Sequence, residues 1–512
     1  MHSIRPRVLY RGLQGLSKST GLSHRITPTT TRLTHQPARG SASPERAFQE
    51  RIQEISQVSA DPYPRLVSDV RTVSCGEFRT RYAKLANNES VDEPVVVSGR
   101  IRTYRLAGSK LIFFDIVQDG HKIQVMCNKR QLEGVSPEQF KKLYRLLRRG
   151  DAFSVTGKPH RTGRGELTVE ATELPTLLAP CLHDVPLRDS SHETSPYPRH
   201  VQFLADPTAA QIIRARSSLT QYLRQFFVDR SFMEVNTPIL GGSAGGAIAR
   251  PFLTSATEFP ERELSLRIAP ELWLKRLVVG GFDKVFEIGS SFRNEGIDKT
   301  HNPEFTTCEF YHAYANLEDL MRMTEDLLSG MASHIKTLNQ DGTLNPTTAN
   351  FATPFRRIDF IGGIEERIHR KLPDLTSPSA INDIRTLFQD LCLPLPENAT
   401  LPRLLDELCG IYIVAARGEL FIEGKEVVNT YEEENSPFEQ RRKFEDQLRF
   451  SKAAGEPGEV DENYLEALEW GLPSTGGWGC GIDRLVMLFT GAKRIGDVLP
   501  FGTLRAVTRR TE

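Results

Sequence analysis

The stretch from Val285 to Tyr311 constrains the fold more than any other. Apolar Val285, Phe286 and Ile288 lead into Phe292-Arg293-Asn294-Glu295, and His301-Asn302-Pro303-Glu304-Phe305 leads back through Cys308 to Glu309-Phe310-Tyr311. This pattern predicts two antiparallel strands around a loop, with a cation where a phosphate would lie and an aromatic where a base would stack. Alone, the same residues would fit an ordinary charged hairpin. They are followed, however, by Gly476-Gly477-Trp478-Gly479-Cys480-Gly481-Ile482-Asp483-Arg484. Glycines at that density let the backbone approach a ligand closely, and Leu485, Val486, Leu488 and Phe489 continue at helical spacing, so Arg484 opens a helix beside the ligand.

At 512 residues, with 39% hydrophobic and 25% charged residues, the chain has room for about three domains with sizeable cores. No apolar run approaches the roughly eighteen residues of a spanning helix, so no membrane segment is expected. Seven cysteines without a C-x-x-C pair read as free thiols in a reducing compartment. The formal net charge of zero hides an asymmetry: residues 1–44 hold seven Lys or Arg, twelve Ser or Thr and no acid. Ile4, Val8, Leu9, Leu13 and Leu16 share one side of a helix there, the pattern of a mitochondrial transit peptide. The remainder carries 58 basic against 65 acidic residues, so RNA would need a localised basic face.

Residues 45–90 read as a helical lead-in. From 91 to 180 the character changes to five short β runs around Val95, Leu111, Ile123, Phe153 and Leu167, with a helical stretch from Pro137 between the third and fourth. That order predicts an OB-fold barrel, whose strand 2–3 face binds oligonucleotides. Phe113 or Phe114 would stack on a base, Gln124 would read a base edge, and Arg100, Arg102 and Arg105 would meet phosphates. Alternation sends one phenylalanine inward and leaves the other as the candidate. After a Pro-, His- and Ser-rich linker (181–200), residues 201–505 form the large domain. It opens on a helix from Thr208 to Val228 and a strand ending at Pro238.

These stretches resemble motifs 1, 2 and 3 of the class II aminoacyl-tRNA synthetases. The resemblance implies an α+β chain: an N-terminal OB-fold anticodon-binding barrel, then a catalytic antiparallel sheet flanked by helices, in a homodimer. It also implies ATP and Mg²⁺, amino-acid activation to an adenylate, and transfer to the 3′ end of a tRNA. By this likeness Arg293 bridges the α-phosphate and the substrate carboxylate, Glu295 accepts from the adenine amino group, and Phe305 stacks on adenine. His301 reaches the outer phosphates, and Arg484 covers the opposite adenine face and the γ-phosphate. Both arginines suit these tasks because guanidinium stays charged and planar. Glu419 and Glu426 would hold Mg²⁺. Their odd separation puts them on opposite faces of an unbroken strand, so a turn at Gly424 must bring them together.

A substrate ammonium needs buried carboxylates, and Glu309 with Tyr311 and Glu433 offer them. Asn429 would take the substrate carboxylate, Tyr431 would wall the aliphatic stem, and Glu271 and Gly246 would meet the α-amino group. These positions match the lysine-specific members of the class, mitochondrial type, as do Arg267-Ile268-Ala269-Pro270-Glu271-Leu272 and Ala467-Leu468-Glu469-Trp470-Gly471-Leu472-Pro473. L-lysine and tRNA(Lys) are therefore the expected partners. An aspartate or asparagine enzyme is the nearest rival, and acids at 309 and 433 would repel an acidic substrate. A relative that lysylates a protein would have no use for an anticodon barrel. One departure keeps a catalytically weak RNA-binding paralogue in view. Leu408 to Val414 runs almost directly into Glu419, where lysine enzymes carry a further strand and loop. A strand lost from the middle of the sheet is expected to be costly, which favours coding sequence removed from the reading frame as an intron.

Overall fold

The computed structural model describes residues 44–58, 61–65, 72–186, 197–242, 245–247, 249–340, 342–358, 360–391, 393–395, 400–401, 404–405, 408, 418–453 and 460–508. The expected transit peptide, much of the linker after 186, and the shortened run at 409–417 lie outside them. Two compact units emerge, one ending at Ala210 and the other beginning at Gln211.

In the first unit, helices α1 (Pro44–Val58) and α2 (Cys75–Arg81) precede strands β1 (Val95–Leu106), β2 (Leu111–Gln118) and β3 (His121–Asn128). Helix α3 (Pro137–Leu146) follows, then β4 (Ala152–Arg161), β5 (Leu167–Ala171) and β6 (Thr176–Ala179). The strand order β1-β2-β3-β5-β4, with β4 returning to β1, closes a five-stranded barrel with α3 between β3 and β4. This is the OB-fold order. Period-two alternation fills it: Ile112, Phe114 and Ile116 of β2 and Ile123, Val125 and Cys127 of β3 are buried. A capping box at Ser136 and Gln139 starts α3. Helix α1 is tied to the barrel by Arg51, whose buried guanidinium pairs with buried Asp151 at 2.8 Å.

The second unit is built on a six-stranded sheet. Helix α5 (Pro207–Val228), which follows the short α4 (Arg199–Ala205), leads to β7 (Met233–Glu234). A small sheet of β8 (Leu240–Gly241), β10 (Phe259–Leu266) and β9 (Leu253–Ala256) comes next. It is followed by α6 (Glu271–Val279), β11 (Lys284–Phe292), β12 (Glu304–Ala313) and α7 (Leu317–Leu338). After α8 (Phe360–Ile368) and α9 (Ala380–Asp390), the hairpin β13 (Gly418–Ile422) and β14 (Lys425–Glu432) appears. Helices α10 (Pro437–Ala453) and α11 (Glu462–Glu469), strand β15 (Thr475–Gly481) and helix α12 (Ile482–Thr490) complete it. The order is β13-β14-β15-β12-β11-β7, antiparallel except where β7 meets β11.

Register divides the sheet into two faces. Phe310 lies opposite Phe286 and Trp478, and Cys308 opposite Ile288 and Cys480. That face packs under α5, α7 and α12 in one core with Phe227, Leu328 and Val486. Phe310 and Trp478 stack with centroids 5.1 Å apart, and Trp478 Nε1 donates to Thr324 Oγ1 at 2.9 Å. Indole burial therefore leaves no unpaired N–H. The other face carries the chemistry.

The expected loss of a strand falls on the run at 409–417, outside the described residues. Among the described residues β13 pairs only with β14 and lies at the margin. A strand absent beyond this margin, as against within the sheet, would leave an edge open to water without severing the ladder.

Candidate active site

Side chains two apart on a strand share a face, so the register assembles the site without further assumption. On β12, Phe305, Thr307, Glu309 and Tyr311 lie opposite Ser291, Gly289, Glu287 and Val285 of β11. Across the other ladder, Thr307, Glu309 and Tyr311 face Gly481, Gly479 and Gly477 of β15, which in turn face Asn429 and Tyr431 of β14. Three glycines thus form a bare floor between two lines of functional side chains. A Cβ on Gly477 would come within 2.0 Å of Glu433 Oε1 and 2.9 Å of the Tyr311 ring. Any other residue there would fill the cleft.

One end of the floor is cationic. Arg293, just past β11, holds the Ile268 carbonyl at 3.4 Å and sits 5.1 Å from the Phe305 ring centroid. Burial lowers its pKa, while Glu309 and Glu295 favour the charged form. His301 and Arg484, the two residues expected at the outer phosphates, are brought into contact: Arg484 Nη2 donates to His301 Nε2 at 2.9 Å. The other ring nitrogen then carries the proton and donates to Asp298, with Nδ1 2.8 Å from Oδ2. Arg484 projects from the first turn of α12, and that turn is fixed by Asp483. The Asp483 carboxylate pairs with Arg216 of α5 and accepts from the Thr306 N–H at 2.9 Å. Arg216 also donates to Thr306 Oγ1 at 2.8 Å, so α5, β12 and α12 are locked together.

The β13–β14 turn places Glu423 and Gly424 at φ 53° and 71°. Two successive left-handed residues fit a two-residue hairpin turn, and glycine adopts that geometry at no steric cost. Folding back sets Glu419 opposite Asn429, whose Nδ2 donates to Glu426 Oε1 at 2.6 Å. The two acids are thereby gathered around one amide despite their odd spacing. Hard carboxylate oxygens in a pair suit Mg²⁺, which keeps waters and takes phosphate oxygens for its other positions. No group of three or more His, Cys, Asp or Glu with metal-binding geometry occurs among the described residues.

The opposite end is acidic. Glu309 is partly accessible, yet burial first and Glu271 second raise its pKa from 4.5 to about 8. Gly246 has φ 88°, and a Cβ there would lie 2.9 Å from Glu271 Cβ, so the loop closes directly onto Glu271. Glu433 directly follows β14, with its side chain 9% exposed. Its partner is one that sequence reading missed: Lys275 Nζ lies 2.5 Å from Glu433 Oε2 and 2.7 Å from Glu271 Oε1. Burial alone would lower the Lys275 pKa, but the two carboxylates outweigh it and hold the ammonium charged. The signal was present, since Lys275 follows Glu271 by four on a helix with apolar Leu274 and Val278 around it. Also missed was the buried pair of Arg267 Nη1 and Glu287 Oε1 at 2.5 Å, which supports the floor near Glu309.

In the barrel, Phe114 is buried and Phe113 is the outward member of the pair. Arg105 lies opposite Phe113 and places its guanidinium 4.4 Å from the ring centroid. Gln124 pairs with Asp115, two residues along the same face, and accepts from Thr168 Oγ1 at 3.2 Å. A half-buried, outward-facing aromatic beside a cation and an amide has the composition of a stacking platform for a single-stranded base. If the class II resemblance holds for this barrel, Phe113→Ala should weaken tRNA charging by about 1–3 kcal/mol and leave adenylate formation unchanged. Equal loss in both assays would place Phe113 in the barrel's packing.

Comparison with known proteins bears on both units. Residues 191–505 match the family described as tRNA synthetases class II (D, K and N), and residues 95–177 match the OB-fold nucleic acid binding domain. The chain is 39% identical to lysine–tRNA ligase cla4 of Cladosporium cladosporioides over 494 residues, covering 87% of this chain and 81% of that protein. It is 36% identical to the mitochondrial lysine–tRNA ligase of Schizosaccharomyces pombe over 501 residues, with 90% and 93% covered. Against the mitochondrial lysine–tRNA ligase of Saccharomyces cerevisiae it is 31% identical over 516 residues, with 87% and 88% covered.

Proposed function

Because this chain belongs to the class II aminoacyl-tRNA synthetases, among the lysine–tRNA ligases, we propose that its glycine-floored sheet face activates L-lysine with ATP and Mg²⁺ and charges tRNA(Lys) in mitochondria. The observation that carries the substrate reading is the acidic end: Glu271, Glu309 and Glu433 gather where a cationic amino acid would lie. The aspartate alternative fails on the same ground, since a second carboxylate brought there would meet three glutamates against the single Lys275 ammonium, and the neutral amide of asparagine would leave those acids without a cationic partner.

Activation needs positioning and charge neutralisation more than a dedicated base. The lysine carboxylate, held by Arg293 and an amide hydrogen of Asn429, attacks the α-phosphorus of ATP, and pyrophosphate leaves. Arg293 neutralises charge growing on the α-phosphate; His301 and Arg484 neutralise the leaving outer phosphates. Glu419 and Glu426 would hold Mg²⁺, which would supply further electrostatic stabilisation of the phosphates. Phe305 and Glu295 seat the adenine. In the second step the terminal ribose hydroxyl of the tRNA attacks the lysyl carbonyl and AMP leaves. Glu271 and Gly246 orient the α-ammonium, Tyr431 walls the stem, and Glu309, Tyr311 and Glu433 receive the side-chain ammonium. A homodimer through α5 and β7 fits the exposed Val228 and Met233 there.

Pyrophosphate exchange measured with each of the twenty amino acids tests this directly. Exchange should depend on lysine; exchange driven by aspartate or asparagine would sink the assignment. Residues 1 to about 40 should be dispensable for this activity and sufficient to carry a reporter into mitochondria, given their seven basic and no acidic residues. A reporter left in the cytosol would refute the targeting reading.

A further inference from the structure

Glu271 and Glu433 come from different elements, a helix N-terminus and the end of an edge-side strand, yet one side chain joins them. The Lys275 ammonium is 2.7 Å from Glu271 Oε1 and 2.5 Å from Glu433 Oε2, and the Lys275 side chain is 6% exposed. The Tyr311 and Tyr464 rings flank it with centroids 5.6 and 5.9 Å from Nζ. Nothing in the activation step calls for a cation at this place. Its two partners are the acceptors assigned above to the two ends of a diamine substrate, Glu271 to the α-ammonium and Glu433 to the side-chain ammonium.

We infer that Lys275 is a positioning residue that sets substrate length: its buried ammonium straps Glu271 to Glu433 and fixes the spacing of the two ammonium acceptors. This rests on the lysine reading. Each carboxylate sits on a side chain with three rotatable bonds, and two anions this close repel one another. Without the strap they would splay, or one would take a proton, and the distance between acceptors would cease to be defined. Helix geometry holds Lys275 in place, because it lies one turn from Glu271 on α6, and its stem is packed in the core beneath. One oxygen of each carboxylate meets Lys275; Glu271 Oε2 lies toward Gly246 and Glu433 Oε1 toward Gly477, both lining the cleft. A rigid pair of acceptors can discriminate substrates differing by one methylene by about 10–200-fold, whereas a floppy pair cannot.

The test is pyrophosphate exchange with lysine and with ornithine, one methylene shorter, in the full-length protein and in Lys275→Met, which matches the stem length without the charge. In Lys275→Met, kcat/KM for lysine should fall about 10²-fold and that for ornithine only a few-fold. The lysine-to-ornithine ratio then collapses by about 10-fold or more, with the KM for ATP unchanged. Equal losses on both substrates, leaving the ratio intact, would show a merely structural lysine and overturn the inference. Should Lys275→Met fail to fold, Lys275→Arg keeps the charge but displaces the cation, and the same ratio decides: a shift supports the strap and an unchanged ratio overturns it. A wild type that does not activate lysine would overturn the substrate reading itself. A lysine-specific wild type with an unchanged ratio in the variants overturns the strap alone.

Discussion

Glu433→Gln should lower kcat/KM for lysine about 10²-fold, chiefly through KM, while the KM for ATP stays within a few-fold of wild type. A charge-assisted hydrogen bond to a buried carboxylate is worth up to about 3 kcal/mol, which is that factor. The Glu433 side chain is only 9% exposed, so water cannot take over its role toward an ammonium. ATP is expected at the Arg293, His301 and Arg484 end of the floor and should be insensitive to the change. Steady-state exchange kinetics with lysine and ATP varied separately check both parts. A matching loss in ATP affinity would mean that the variant had disturbed the whole sheet face.

Glu309→Gln should have effects of opposite sign on stability and on activity. The Glu309 pKa is raised from 4.5 to about 8, by burial first and then by Glu271, against the opposing influence of Arg293 and Arg267. Between those values the folded protein keeps the proton that the unfolded chain releases. Wild-type stability is therefore fully present below about pH 4.5 and declines as pH rises toward 8. The glutamine variant lacks this loss. It should match wild type in acid and exceed it near pH 8 by on the order of 2 kcal/mol, less than full linkage would give for a partly accessible group. Thermal melts across pH 5 to 8 measure the divergence. Lysine activation should fall about 10²-fold in the same variant, because a bound ammonium is what makes ionised Glu309 favourable. Wild-type lysine binding should accordingly release a proton below pH 8 and tighten as pH rises toward that value. Calorimetry in two buffers of different ionisation heat reads that proton, and its absence would place the substrate ammonium elsewhere.

Both expectations draw on features of unequal legibility in the chain. Alternation in Ile112-Phe113-Phe114 showed that one ring turns inward, but only the closed barrel decided that it is Phe114. The strand–loop–strand of Val285 to Tyr311 and the glycine-rich lead into α12 were legible because period-two and period-3.6 patterns are local. Lys275 was passed over for the opposite reason. A lysine among leucines on a short helix reads as a snorkelling surface residue until its two acidic partners, at positions 271 and 433, are known to converge on it.

The sequence by itself determined the two-part architecture, the hairpin and turn positions, and which residue types line the glycine-floored sheet face. These follow from local spacing, from glycine's freedom at positive φ and from the need of phosphates for arginine and of ammonium groups for carboxylates. Only the tertiary structure decided that β13 lies at the sheet margin among the described residues, that Gly477, Gly479 and Gly481 clear a floor between Glu309 and Asn429, that Asp483 ties Arg484's helix to α5, and that one buried cation joins Glu271 to Glu433. Each depends on register or on contacts between residues far apart in the chain. Sheet order is set by cross-strand pairing and core packing, and neither leaves a periodic mark on the segments it unites.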